Sequence, residues 1–145
     1  MVVTYKEAKT LPEFVDAIRL RVEVFIREQG FKPGWEPDEY DKTARQFIAV
    51  ENDTAVATAR VRESATGEFK IERMATQKEY RGKGIGTCLL NVIITAISKD
   101  DPKRIWLQAQ VQAQKFYEKT GFTASSKPYD LHGCPHIDLD YTSLK

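Results

Sequence analysis

One short stretch of the chain, Arg81-Gly82-Lys83-Gly84-Ile85-Gly86, lies between a predicted strand and a predicted helix. Its three glycines at alternate positions leave the backbone N–H groups of a tight turn uncovered by side chains. Because such N–H groups at a helix start attract anions, this glycine stretch (residues 81–86) predicts a binding place for phosphate oxygens. Arg81 and Lys83 add cationic hydrogen-bond donors beside it. The alternative is a strand-to-helix turn without a ligand.

The spacing of the glycines does not match two common phosphate-binding motifs. A P-loop has Gly-Lys followed by Ser or Thr, whereas Gly84 follows Lys83 here. A dinucleotide fingerprint reads G-x-G-x-x-G, whereas this stretch reads G-x-G-x-G. The identity of the phosphate ligand therefore depends on the rest of the chain.

The hydrophobic pattern around the glycine stretch predicts a mixed sheet flanked by helices. Apolar residues at helical spacing follow a capping box at Thr10 and Glu13, which predicts a first helix that ends at Gly30. Further helices are predicted at 84–98 and 112–120, and residues 31–45 are predicted to be a loop. Strands are predicted at 47–50, 55–61, 69–76, 105–107, 122–124 and 136–141. Early hairpins followed by αβ alternation are typical of an α/β (α+β) fold.

The composition limits the class of protein. The 145 residues, 41% hydrophobic and 30% charged, suit one domain over 1–145 with its own core. A net charge of +1 argues against a general nucleic-acid binder. Without a bilayer-length apolar run or a signal-peptide pattern at the N-terminus, the chain is predicted to be cytoplasmic and not membrane-bound. Cys88 and Cys134 are predicted to be free thiols, and with two histidines they give no zinc spacing, so no metal is expected.

A second segment identifies the ligand by resemblance. The sequence Phe116-Tyr117-Glu118-Lys119-Thr120-Gly121-Phe122, downstream of the glycine stretch, resembles the GNAT superfamily of N-acetyltransferases. The resemblance covers nearly the whole chain, and residues 21–29, 35–41, 107–110 and 133–136 are similar to the ElaA-like branch. It implies a single GNAT-like domain with a mixed, mostly antiparallel central sheet flanked by helices. It also implies acetyl transfer from acetyl-CoA to a primary amine, without naming the amine or settling whether a homodimer forms.

The resemblance also implies which residues bind acetyl-CoA. The family pattern Gln/Arg-x-x-Gly-x-Gly/Ala falls on Arg81, Gly84 and Gly86, and the N–H groups of residues 82–87 would hold the pyrophosphate. The implied pyrophosphate site therefore consists of Arg81, Gly82, Lys83, Gly84, Ile85, Gly86 and Thr87. The segment Met74-Ala75-Thr76 occupies the strand end that pairs with the pantetheine arm, with a plain central strand as the alternative. Gln110 stands where many relatives carry an asparagine that contacts CoA.

Three residues are the candidate catalytic groups. Tyr117 falls on the tyrosine that many GNAT enzymes use as general acid, with an ordinary packed aromatic as the alternative. Glu72 lies where numerous relatives carry a glutamate and is a candidate base, with an ion pair to a neighbouring Arg or Lys as the equal alternative. His136 suits proton shuttling, although a structural histidine is the alternative. Glu28 is a further candidate base, or a surface residue at the helix end.

The acceptor side is predicted around the loop that follows the first helix. Carboxylates cluster there and would attract a cationic amine, with a solvated acidic loop as the alternative. The predicted acceptor-binding residues are Glu28, Trp35, Asp38 and Asp41. Two other functions remain open: a non-catalytic CoA-sensing or partner-binding module, and acyl transfer from a carrier protein as in acyl-homoserine lactone synthases.

Overall fold

Eight strands form one sheet in the computed structural model, which describes residues 1–142. The strands are β1 (Thr4–Glu7), β2 (Arg45–Glu51), β3 (Thr54–Ala65), β4 (Glu68–Thr76), β5 (Arg104–Gln110), β6 (Phe122–Ala124), β7 (Tyr129–Leu131) and β8 (Cys134–Tyr141). The α-helices are α1 (Leu11–Arg21), α2 (Ile85–Ser98) and α3 (Gln114–Glu118). Short 3₁₀ turns cover Pro33–Trp35, Glu39–Lys42, Lys78–Tyr80 and Val111–Ala113.

The sheet is mixed and mostly antiparallel, as predicted. Its strand order is β1-β2-β3-β4-β5-β8-β6, and β7 pairs with β8. Within residues 1–142, β4 and β5 are the parallel pair and the other recorded pairs are antiparallel. The hairpin predicted at Asn52 and Asp53 joins β2 to β3, and both residues have positive φ.

The parallel pair separates soon after it begins. Its recorded partners are Glu68 with Arg104, Phe69 with Ile105, and Lys70 with Trp106. Beyond Lys70 the two strands diverge, so the β5-facing backbone edge of residues 71–76 has no strand partner in the described part of the chain. The family resemblance implied that the strand splays from its neighbour at residues 74–76, and the structure has this opening, which begins already after Lys70.

A β-bulge interrupts the other edge of β4. Thr58 pairs with Ala75 and Arg60 with Glu72, so Ala59 of β3 faces both Arg73 and the residue after it. Arg73 has a φ of +55°, in the left-handed region. Such a bulge bends the strand and redirects its side chains, here beside the divergence of β4 and β5.

Helices cover the two faces of the sheet. The apolar face of α2 is buried, which confirms the prediction that this helix packs hard against the sheet; its buried residues include Leu89, Leu90, Ile93 and Ile97. Ala17 of α1 packs with Ile48, whereas the adjacent Phe47 belongs to the α2 cluster. Because successive strand residues point to opposite faces, α1 and α2 lie on opposite sides of the sheet.

The first helix differs from its prediction in one respect. The capping box of Thr10 and Glu13 is present, and α1 begins at Leu11. From Val22 to Glu28 the chain continues as a π-helical segment, which the spacing of apolar residues did not indicate. Leu20 and Val24 pack on Ala75, so this end of the helix lies directly over the end of β4.

Two short strands were not predicted. β1 is an edge strand whose residues alternate between exposed and half-buried, and β7 has only three residues. β7 turns into β8 through His132 and Gly133, which both have positive φ. In residues 1–142 no helix is long and apolar enough to cross a membrane, and the cytoplasmic location stays a prediction.

Candidate active site

The divergence of β4 and β5 opens a cavity of about 550 Å³. One wall is residues 70–74 of β4, and the other is residues 107–110 of β5. Tyr117 of α3 lies at one end of this central cavity. Its remaining lining residues include Phe25, Phe31, Trp35, Glu36, His132, Cys134 and His136.

The glycine stretch lies at the N-terminus of α2, as predicted. Gly82 and Gly84 have φ of +77° and +80°, a conformation that strains other residues. Cys88 donates the first intrahelical hydrogen bond, to the carbonyl of Gly84 at 3.0 Å, so the N–H groups of residues 85–87 precede the helical ladder. A Cβ on Gly86 would lie 3.9 Å from Thr76 Oγ1, which shows that the stretch adjoins the end of β4.

Arg81 connects the glycine stretch to two other elements. Its Nη1 and Nη2 donate to the carboxylate of Glu28 at 2.6 and 2.8 Å, and its Nε donates to the Thr76 carbonyl at 2.9 Å. The hydrogen bond from Arg81 holds the pKa of Glu28 below its usual value. Glu28 and Lys78 line a second cavity of about 340 Å³ and not the central one. The structure therefore places Glu28 beside the glycine stretch, away from the other predicted acceptor residues.

Tyr117 and Met74 meet across the central cavity. The tyrosine hydroxyl lies 3.8 Å from Met74 Sδ, and its ring packs edge-on against Phe116 and Phe122. Burial raises the pKa of Tyr117 to about 12, so the phenol keeps its proton at neutral pH. Gln110, at the end of β5, lines the same cavity. The Tyr117 phenol therefore has the protonation state that a general acid needs.

Glu72 lies in the central cavity but is held in ion pairs. Arg60 and Arg62 donate to its Oε2, the latter at 3.1 Å, and Lys70 Nζ lies 3.2 Å from its Oε1. Burial by itself would raise the pKa of Glu72, but the hydrogen bonds and charges of the two arginines outweigh it and lower the pKa to about 2. A carboxylate that is so weakly basic favours the ion-pair alternative over the role of base.

Two aspartates of the acidic loop, Asp38 and Asp41, point to arginines. Asp41 accepts hydrogen bonds from Arg21 at 2.8 and 2.9 Å, and its side chain is only 4% exposed. Burial opposes its ionisation, yet the hydrogen bonds of Arg21 hold the pKa of Asp41 well below its usual value. Asp38 pairs with Arg60 and Arg73. Neither aspartate lines the central cavity, so their predicted contact with an acceptor amine has no support in the geometry.

Trp35 does line the central cavity, as the sequence suggested. Its ring centroid lies 5.0 Å from that of Phe31 and 5.0 Å from that of His132. His132 belongs to the turn between β7 and β8, so this aromatic contact joins two loops at the cavity. The result is an aromatic wall on one side of the central cavity.

A chain of polar side chains that the sequence did not reveal connects β4 to β8. Lys70 donates to Gln108 at 2.8 Å, Gln108 donates to the hydroxyl of Tyr129 at 3.0 Å, and Tyr129 donates to Asp138. His136 stacks on Tyr129, and its Nδ1 lies 3.0 Å from the Cys134 carbonyl. The alternation of polar and apolar residues in β5 was the available signal for Gln108, but pairing it with Tyr129 required the missed strand β7.

No group of three or more His, Cys, Asp or Glu side chains in the described range 1–142 is arranged to hold a metal ion.

Comparison with known proteins then gives the family. Residues 13–143 match the model of the acetyltransferase (GNAT) domain. The chain belongs to the GNAT acetyltransferase family. This confirms the resemblance on which the site residues were predicted, and the activity class of acetyltransferase follows from it.

Individual relatives agree with the family and its ElaA-like branch. Protein ElaA of Escherichia coli is 31% identical over 127 residues, which cover 84% of this chain and 82% of ElaA. The uncharacterized N-acetyltransferase YjcF of Bacillus subtilis is 29% identical over 133 residues, which cover 91% of this chain and 94% of YjcF.

Solved structures agree with the fold of this GNAT acetyltransferase. The crystal structure of E. coli ElaA aligns with a TM-score of 0.86 and 25% identity, covering 97% of this chain and 100% of ElaA. A GNAT acetyltransferase from Elizabethkingia anophelis, solved with acetyl-CoA bound, shares the fold with a TM-score of 0.70 and 16% identity, covering 95% and 96% of the two chains.

Proposed function

We propose that this GNAT acetyltransferase uses acetyl-CoA and transfers the acetyl group directly to a primary amine. The observation that carries the proposal is the unpaired edge of β4, which runs from the central cavity to the glycine stretch. A thioester with a pyrophosphate at its far end fits the chemistry of this path, which offers free backbone groups and then a helix N-terminus. The acetyl-CoA bound in the E. anophelis relative supports the choice of co-substrate.

The pyrophosphate is placed on the N–H groups of residues 82–87. The N-terminus of α2 stabilises an anion there by about 0.3–1 kcal/mol at an exposed site, and by more where it is partly buried. The amides of the pantetheine arm pair with the free backbone groups of residues 74–76, in the manner of an added strand. This brings the thioester beside the contact of Met74 with Tyr117, with Gln110 on the β5 side.

The reaction then needs few groups from the protein. The amine nitrogen attacks the thioester carbonyl, a C–N bond forms, and the C–S bond breaks with its electron pair on sulfur. Tyr117 donates a proton to the leaving thiolate and recovers one from solvent. Backbone N–H groups at the β4 bulge polarise the carbonyl, and holding both substrates in place supplies most of the acceleration.

The attacking nitrogen also has to lose a proton. Glu72, with a pKa of about 2, is a poor acceptor for it, and its proposed role is to hold Arg60 and Lys70 in place. His136 lines the cavity and is the remaining predicted base. Its direct or water-mediated contact with the amine is part of the proposal.

Calorimetric titration with acetyl-CoA tests the first half of the proposed function. We expect binding to the wild-type protein, and its complete absence refutes the proposal. Release of free CoA thiol in the presence of an amine library then tests transfer, with Tyr117→Phe as the chemical control. Tight binding of acetyl-CoA without transfer to any amine would instead favour the non-catalytic CoA-binding module. Light scattering of the same sample tests whether a homodimer forms.

A further inference from the structure

A set of charged side chains at and behind the wall of the central cavity carries one positive charge in excess. Ion pairs connect a single set of charged residues, which we call the arginine network. Each of its carboxylates contacts at least two of its cations. Its members are Arg21, Arg60, Arg62, Lys70 and Arg73 with Glu36, Asp38, Asp41 and Glu72. Five cations therefore face four carboxylates.

Where the network lines the central cavity, its cations are more exposed than their carboxylate partners. Arg73 and Glu36 both line the cavity, but the arginine side chain is 24% exposed whereas that of Glu36 is 1% exposed. Within residues 1–142, the hydrogen bond that Arg73 donates is the one from Nη2 to Asp38, at 3.0 Å. Its Nε lies 2.9 Å from Glu36 without a hydrogen-bonding alignment. Donors of Arg73 therefore remain for a ligand in the cavity.

Lys70 adds a second cation to the same wall. Its Nζ donates one recorded hydrogen bond, to Gln108, and an ammonium group has three donors. Glu72, its ion-pair partner at 3.2 Å, is already shared with Arg60 and Arg62. A second positive charge on the acceptor would be repelled by Lys70 and Arg73, the more exposed members of each ion pair at this wall, whereas a carboxylate would be attracted to them.

We propose that the acceptor is an amine that also carries a carboxylate, and that Arg73 and Lys70 bind this carboxylate. The inference rests on the proposed acetyl transfer to an amine and specifies its acceptor. Guanidinium groups bind carboxylates through paired hydrogen bonds, which orient the ligand as well as attract it. The adjacent aromatic wall of Phe31 and Trp35 accommodates an apolar body between the carboxylate and the amine.

Matched substrate pairs test the proposal. Acetyl transfer is measured for phenylalanine against phenethylamine, leucine against 3-methylbutylamine, and 5-aminopentanoate against pentylamine. We expect at least one carboxylate-bearing member to exceed its partner by about tenfold or more in kcat/KM, as one charge-assisted contact implies. Arg73→Gln or Lys70→Gln should reduce this preference about tenfold, mainly through KM of the amino acid.

Control variants separate charge from folding. Arg73→Lys keeps the charge and should retain part of the preference, and Lys99→Gln removes an exposed lysine outside the cavity and should leave the preference intact. Thermal melting and acetyl-CoA titration of every variant check that it folds and binds the co-substrate.

Several results would overturn the inference and leave the proposed function standing. Equal or better turnover of the amines without a carboxylate would do so, as would an equal loss of both pair members in Arg73→Gln and Lys70→Gln. The inference would also be rejected if the protein binds acetyl-CoA and acetylates other amines but neither acetylates nor binds any amino carboxylate. Failure to bind acetyl-CoA at all is the separate result that rejects the proposed function.

Discussion

Replacing Asp41 by alanine should strongly destabilise the fold. The carboxylate accepts hydrogen bonds from Arg21 at 2.8 and 2.9 Å, from Gln46 at 2.8 Å and from the backbone of Asp38 at 2.9 Å. Arg21 is fully buried, so removing the Asp41 carboxylate leaves the charge of Arg21 under-compensated in the interior. Breaking such a pair costs about 3–5 kcal/mol, and we expect about 3 because Glu36 still contacts Arg21.

Urea unfolding followed by circular dichroism measures this loss. The midpoint should fall while the slope stays unchanged, and the melting temperature should drop by about 10 °C for a chain of this size. Glu39→Ala is the matched control, since Glu39 is exposed, lies in the same short turn and has no ion pair among the described residues. Its expected cost is within about 0.5 kcal/mol.

A cost for Asp41→Ala no larger than that of Glu39→Ala would refute the reasoning. It would mean that Asp41 is not committed to Arg21 in solution. Asp41 would then be free to meet an acceptor amine, and the count of five cations against four carboxylates in the arginine network would no longer hold.

Three further outcomes are expected. Ion pairs lower the pKa of Glu72 in the folded protein from 4.5 to about 2. Its contribution to stability is therefore complete above about pH 4.5 and is lost as the pH falls through about 2. Glu72→Gln should flatten that part of the acid-unfolding curve, and an unchanged curve would contradict this expectation. Tyr117→Phe should lower kcat, measured by stopped-flow, by about 100-fold or more without weakening acetyl-CoA binding, measured by titration. Loss of rate and binding together would indicate a packing role for Tyr117. Gly84→Ala should lower the free energy of unfolding in urea by about 1 kcal/mol or more and weaken acetyl-CoA binding, because Gly84 has a φ of +80°. Gly86→Ala is the control, since the added Cβ meets only ordinary contacts. Equal effects of the two substitutions would argue against a strained turn.

Local sequence patterns were sufficient for the elements that are stabilised locally. The apolar face of α2, the capping box before α1 and the Asn52-Asp53 turn each depend on residues close in sequence, and the structure confirms them. β7 could not be found in this way because three residues carry no pattern, and its stability comes from pairing with β8.

The residues of the candidate site differ in the same way, because some belong to local motifs and others depend on partners that are distant in sequence. The glycine stretch and Tyr117 were found because each belongs to a continuous motif at one place in the sequence. The partners of Asp38, Asp41 and Glu72 come from distant strands and helices, so the sequence displayed a run of acids whose neutralising arginines only the fold brings together. Counting carboxylates along a loop therefore did not reveal that Asp38 and Asp41 are paired with arginines and lie outside the lining of the central cavity.

The extra residue in β4 has a consequence for insertion and deletion. Glu72 and Ala75 keep their partners in β3 on either side of the bulge although they are three positions apart, so one residue of β4 is surplus to the ladder. Removing Arg73 would restore a regular ladder with β3 and leave Ala75 in its contact with Leu20 and Val24. The deletion would also remove the residue with left-handed backbone and its half-buried guanidinium at the central cavity. A one-residue deletion would thus preserve every strand of the sheet while removing both the bend beside the divergence of β4 and β5 and the cation that the bulge presents there.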